Sequence, residues 1–185
     1  NITVNDGTIN INASDDGINA AGGTDSSGFG GFGHDAFSAD SDVNIYINGG
    51  TITINADGDG IDSNGNLYVT GGGIYVSGPE SSADGALDYN GEATITGGTL
   101  IAAGASGMAE NFGSDSTQGS ILVSFTTQSA GTTISLLDES GSTLLSWQSD
   151  KTYSSVVISS PDIVVGNTYT IKAGNYETTV TMDST

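Results

Sequence analysis

Cysteine and arginine are absent from this 185-residue chain, and lysine and proline occur only twice each. Each absence removes an explanation. Without cysteine there is no disulfide framework and no thiolate metal site, so the fold must rest on a large core or on metal staples. Without arginine, and with Lys151 and Lys172 both late in the chain, no basic row exists to neutralise phosphates. Twenty-two acidic residues leave a formal net charge of -20, which argues against nucleic acid or an anionic membrane as partner. No apolar run approaches the length of a membrane span. No signal-like segment opens at Asn1, the expectation for a mature chain or a cut piece.

What the chain does have is 29 glycines, many Asn, Ser and Thr, and short apolar runs. That mixture suggests tight turns between short strands. High acidity with few aromatics can mark disorder, but the ordered alternation of Ile and Val argues for a folded chain. The charge fits either a need for multivalent cations or a surface adapted to salt.

An internal repeat decides the fold class. "NITVNDGTININASDDGINA" begins at Asn1, "NIYINGGTITINADGDGIDS" at Asn44, "NLYVTGGGIYVSG" at Asn66 and "EATITGGTLIAAGASGMAENFG" at Glu92. Each unit reads strand, small turn, strand, then an acidic or glycine-rich corner and one more apolar residue. The starts at 44, 66 and 92 give units of 22 and 26 residues; the first unit carries an insert at 24–43. Units of this length with three apolar segments predict one coil each of a parallel β-helix, about four coils in all. Four inward columns follow: Ile2, Ile45, Leu67 and Ala93; Val4, Ile47, Val69 and Ile95; Ile9, Ile52, Ile74 and Leu100; Ile11, Ile54, Val76 and Ala102. An antiparallel meander explains each turn but not the return of the pattern in register. After residue 114 the pattern becomes period-two strands with "DESG" as a hairpin signal. We therefore divide the chain into a β-helix over 1–118 and a C-terminal β-rich cap or small sandwich over 119–185.

"GDGIDSNGNLYVTGG", "GALDYNG", "ATITGG", "AAGASGMAENFGS" and "SSVVISSPDIVVGNTYTIKAG" resemble the bacterial, clostridial-type carbohydrate-binding β-helix family over nearly the whole chain. The resemblance implies a right-handed parallel β-helix related in shape to pectate lyases, with bound calcium. It implies binding of cellulose or of acidic sugars such as polygalacturonate. It also implies further coils before Asn1, so the first coil is an end open to an upstream domain or to end-to-end stacking on another copy.

The corner "NADGDGIDSNGN" at 55–66 has EF-hand spacing at Asn55, Asp57, Asp59 and Gly60, but Asn66 stands where the loop needs a bidentate Glu, and strands flank it instead of helices. Aligned by unit, Asp16, Asp59 and Asp84 form one column, each followed by glycine. Asp62, Asp88 and Glu110 form a looser second column, shifted by one residue in places. Strands lie about 4.8 Å apart, close to the separation of two oxygens that share one calcium at about 2.4 Å each. A lone Asp-Gly is turn chemistry; several in register without a basic partner favour calcium, and magnesium's stricter octahedron fits less well. Asp15 and Asp57 are extra ligands or outward solvated charges.

Tyr46 above Tyr68, with Tyr75 in a neighbouring column, either stack on sugar or pack as ordinary strand residues. The insert carries Phe29, Phe32, Phe37 and His34, either a functional loop or a cover for a groove. His34 is the only histidine, so a histidine-based metal site or triad would rest on it alone. Trp147 reads as a buried residue of the cap. A lyase commonly needs Arg or Lys as base, and neither lysine lies in the coils. Carboxylates engaged on calcium are poor general acids for hydrolysis. We expect an extracellular or cell-surface, calcium-binding, non-catalytic module for cellulose or an acidic polysaccharide. A structural cell-surface or filament subunit and a β-helix polysaccharide hydrolase are the alternatives.

Overall fold

A computed structural model describes residues 1–21 and 39–185. The Phe29, Phe32, His34 and Phe37 of the insert lie outside the described residues. The described chain is all-β, and no helix in it is long and apolar enough to cross a membrane. The first unit gives β1 (Ile2–Val4), β2 (Thr8–Ala13) and β3 (Ile18–Ala20). The second gives β4 (Asn44–Ile47), β5 (Thr51–Ala56) and β6 (Ile61–Ser63), and the third β7 (Asn66–Val69), β8 (Gly73–Ser77) and β9 (Leu87–Tyr89). The fourth gives β10 (Ala93–Ile95) and β11 (Thr99–Gly104).

Matching strands of successive units pair in parallel. One sheet runs β1-β4-β7-β10, a second begins β2-β5-β8-β11, and a third is β3-β6-β9. None of these pairs is a hairpin, so the meander is excluded. Ile2, Ile45, Leu67 and Ala93 stand in register, as do Ile11, Ile54, Val76 and Ala102. A third line, Ile18, Ile61 and Leu87, completes the core at the corner. Alternation within each short strand turns these residues inward together. Ile45, Ile54, Ile61, Leu67 and Ile74 are fully buried, each adding about 1.5–3 kcal/mol of burial. In the first unit Ile2, Ile9 and Ile11 are only partly buried.

The C-terminal section comprises β12 (Ser120–Gln128), β13 (Thr133–Leu137), β14 (Thr143–Gln148), β15 (Tyr153–Ser159), β16 (Thr168–Ala173) and β17 (Tyr176–Thr181). β15 pairs antiparallel with β11, and β12 pairs with β15. The second sheet therefore runs unbroken across residue 118. β13 and β14 form the hairpin expected around Asp138–Gly141, and with β16 and β17 they make a four-stranded sheet. β11 serves two cores because its side chains alternate. Leu100 and Ala102 face the core of the repeats, while Ile101 and Ala103 face Leu136, Ile158 and Ile171 on the other side.

Ile54→Ala is expected to cost about 2–5 kcal/mol in urea unfolding. Ile11→Ala should cost clearly less, because Ile11 is already half-open to water. Equal losses would show that the first unit's core is as closed as the second's.

Candidate metal centre and tyrosine face

The acidic corner is built by glycines that have no room for a side chain. A Cβ on Gly60 would lie 2.4 Å from both Val76 Cγ1 and the Ala86 carbonyl oxygen, and one on Gly17 would lie 2.4 Å from Ile54 Cγ2. The glycine faces the core, so the aspartate before it turns outward. That aspartate then bonds the next layer. The Asp59 N–H donates to Asp16 Oδ1 at 2.9 Å, and the Gly85 N–H donates to Asp59 Oδ1 at 2.6 Å. Asn19 Nδ2 donates to Asp16 Oδ2 at 2.5 Å. An ionised carboxylate accepts at about four lone-pair positions, so these bonds leave capacity on every oxygen.

Carboxylate oxygens of Asp16, Asp59 and Asp62 all lie within 4.8 Å of one another. Two oxygens held about 2.4 Å from one calcium can be no farther apart than about 4.8 Å, so the group is within the span of a single ion. Asp88 stands next to Asp62 in strand register, with Asn19 on the other side. Burial pushes the Asp59 carboxyl up to about 7; Asp88, Asp16 and Asp62 add to the rise, and the Gly85 N–H opposes it. Burial, then Asp16 and Asp88, push Asp62 up to about 7. Asp88 is raised by burial first and by Asp16 and Asp84 after it. Glu110 is raised by burial and then by Asp88. Glu110 Oε2 is buried without a hydrogen-bond donor among the described residues. These are oxygens with spare lone pairs, crowded by like charge, and hard oxygen donors are what calcium takes. Asp16, Asp59 and Asp62 thus fit a calcium ion.

The first acidic column read from the sequence needs correction. Strand register sets Asp16 against Asp59 and then against Gly85, not Asp84. Asp84 is displaced by one residue and neighbours Asp88 instead. The core residues Ile18, Ile61 and Leu87 fix the alignment, and Asp-Gly does not. In the second column Asp62 and Asp88 are direct register neighbours, as that alignment placed them. Asp57 is also reassigned: its carboxylate pairs with the Lys151 ammonium, which reaches back from the C-terminal section. Asp15 is exposed beside Asp16, outside the three-carboxylate group.

Thr3, Tyr46, Tyr68 and Thr94 share one outward row of the first sheet. The rings of Tyr46 and Tyr68 stack with centroids 5.2 Å apart and planes 16° apart. At that separation the rings overlap, so each tyrosine spends one face on the other. Burial, with Glu92 and Tyr46 after it, raises the Tyr68 phenol. Tyr75 does not belong with them. Its ring packs 5.9 Å from Trp147, against the C-terminal core. Trp147 itself is half-buried there.

Two polar ladders escaped the sequence reading. Asn1 Oδ1 accepts the Asn44 N–H, Asn44 Oδ1 accepts Asn66 Nδ2, and Asn66 Oδ1 accepts the Glu92 N–H. Asn5 Oδ1 accepts Asn48 Nδ2, and Asn48 Oδ1 accepts the Thr70 hydroxyl. The signal was present in the asparagine that opens the first three units.

In the unfolded chain an aspartate ionises near 3.8, whereas Asp59 and Asp62 in the metal-free fold hold their protons up to about 7. Their contribution is therefore neutral below about pH 4 and becomes destabilising as pH rises through that window. Both groups are partly exposed, and solvent screening trims the effect. Asp62→Asn should leave the metal-free Tm unchanged at pH 4 and raise it at pH 8. A variant that melts lower than the parent at pH 8 without metal would contradict the crowding. Comparison of the chain with protein-family models, with curated proteins and with solved structures finds no match.

Proposed function

We propose that this chain is an extracellular, calcium-stapled, non-catalytic carbohydrate-binding module. Its three repeat sheets would be the faces of a right-handed parallel β-helix, and its C-terminal strands the cap. Parallel strands in register favour this architecture, and crossover connections between parallel strands are nearly always right-handed. The observation that carries the calcium reading is the approach of Asp16, Asp59 and Asp62 to within 4.8 Å of one another. Asp16, Asp59 and Asp62 would hold the ion, with Asp88 beside them. Bound calcium supplies positive charge to a row that otherwise repels itself and ties successive layers together.

The glycan reading rests on the tyrosine row of the first sheet. The ligand would be a polysaccharide of the cellulose or polyuronate kind, with sugar rings stacking at Tyr46 and Tyr68. The row itself, Thr3, Tyr46, Tyr68 and Thr94, carries no carboxylate or amine. Lys151 is held by Asp57 and Lys172 by Glu177, so neither is free for a lyase step. One observation favours a second reading, that of a hydrolase: carboxyls raised to about 7 are typical of catalytic acids. Against it, Asp59 and Asp62 are raised alike. Acid–base catalysis needs two groups pushed apart, one protonated and one ionised.

Calcium should raise the Tm by several degrees and EGTA should reverse the gain. Mass action gives about 2.7 kcal/mol at a hundredfold excess over the dissociation constant. Asp59→Ala should weaken this response far more than Asp138→Ala, which lies in the distant hairpin turn. For the glycan, pull-down of the calcium-loaded protein on insoluble cellulose and on immobilised polygalacturonate is the test. At least one polymer should retain it without releasing reducing sugar, and Tyr46→Ala with Tyr68→Ala should lose retention. If neither polymer holds the protein, the carbohydrate reading fails. Sugar release that Asp62→Asn abolishes would select the hydrolase.

A further inference from the structure

The tyrosine row ends beside a small cleft. Its volume is about 200 Å³, and Tyr89, Glu92, Thr94, Ser114 and Asp115 line it. Thr94 is the register neighbour of Tyr68, and Glu92 lies close enough to Tyr68 to raise its phenol. The cleft is therefore continuous with the row on which the glycan reading rests. Tyr68 gives one face to Tyr46, and its register neighbour on the other side, Thr94, carries no ring to stack on the second face.

The walls are fixed by backbone bonds. The Gly113 N–H donates to the Ala93 carbonyl at 2.8 Å, and the Gln118 N–H donates to the Ile95 carbonyl at 3.2 Å. These bonds hold the segment carrying Ser114 and Asp115 along the open edge of β10. The Tyr89 hydroxyl donates to the Asn111 carbonyl and sets the third wall. Glu92 is anchored by its main chain: its N–H donates to Asn66 Oδ1 and its carbonyl accepts the Leu67 N–H. Its side chain is exposed, as is that of Asp115. Neither carboxylate forms an ion pair among the described residues.

We infer that this cleft is a single-ring glycan subsite that takes an uncharged, hydroxyl-bearing sugar unit and turns uronates away. It is smaller than the roughly 300–1,000 Å³ of sites for whole small molecules, so it fits one ring of a longer polymer. Carboxylates only accept hydrogen bonds when ionised. Glu92 and Asp115 thus suit sugar hydroxyls, which donate. Charge-assisted bonds of this kind are about twice as strong as neutral ones. A uronate would bring a third negative group to two uncompensated ones on a chain of net charge -20. The Thr94 and Ser114 hydroxyls can donate or accept and would meet the remaining ring oxygens.

The inference rests on the glycan-binding reading, and calorimetry can separate the two. Cellohexaose and an oligogalacturonide of equal length are titrated into the calcium-loaded protein. The parent should prefer cellohexaose. Glu92→Ala with Asp115→Ala should weaken cellohexaose binding about tenfold or more while leaving the Tm nearly unchanged, since neither side chain bonds the fold. Glu92→Gln with Asp115→Asn should bind cellohexaose more weakly than the parent but better than the alanine pair, and should raise affinity for the oligogalacturonide. If the alanine pair binds cellohexaose as the parent does while Tyr68→Ala loses it, the subsite is wrong and the glycan reading stands. Tighter binding of the oligogalacturonide than of cellohexaose by the parent overturns the charge argument. If the parent binds neither sugar, both readings fall together.

Discussion

Neighbouring strands of a sheet lie about 4.8 Å apart. In the repeat sheets each strand is followed by the matching strand of the next unit. Whatever residue stands at one position is thus stacked on its counterparts at that pitch. Isoleucine on isoleucine makes a core. Asparagine on asparagine makes a ladder in which each amide satisfies the next layer. Aspartate on aspartate makes a problem, because like charges directly opposite one another are destabilising. The acidic corner is a row where stacking works against the fold. Its burial makes the conflict worse, lifting Asp59 and Asp62 to about 7.

Three features keep that corner in place. Gly17 and Gly60 face a filled core and admit no side chain. Asp16 and Asp59 each accept an N–H from the following layer. Ile18, Ile61 and Leu87 pin the register from inside. The packing that buries the leucine and isoleucines therefore also holds the carboxylates together. A divalent cation at the proposed centre would turn their repulsion into a tie between layers. The glycan surface in the same account sits on a different sheet, where Tyr46, Tyr68 and Thr94 share a row. Layer stability and ligand contact are then carried by separate faces of one stack.

Much of this was legible in the sequence because repetition is a long-range signal. The inward columns from Ile2 to Ala102 follow from aligning four units, and their registers are those of the strands. The acidic columns were less legible. Asp16, Asp59 and Asp84 share an Asp-Gly spelling, but packing reads Leu87 and Ala86 instead, and Asp84 falls out of line. Contacts that join distant segments left no local trace. Lys151 meets Asp57 from 94 residues away, and Trp147 covers Tyr75 from another sheet. The cleft beside Thr94 was equally hidden, because Asp115 comes from a segment with no repeat pattern of its own. The first asparagine ladder was in plain view at the start of three units, but turn chemistry explained those letters first.

Calcium at the proposed meeting point of Asp16, Asp59 and Asp62 would be the tie on which the corner depends. A crystal structure of protein grown in millimolar calcium, with anomalous data collected at long wavelength, measures this directly. An anomalous peak is expected at that point, with oxygens of Asp59 and Asp62 about 2.4 Å from it. Well-ordered carboxylates bridged only by water, with no anomalous peak between them, would contradict it.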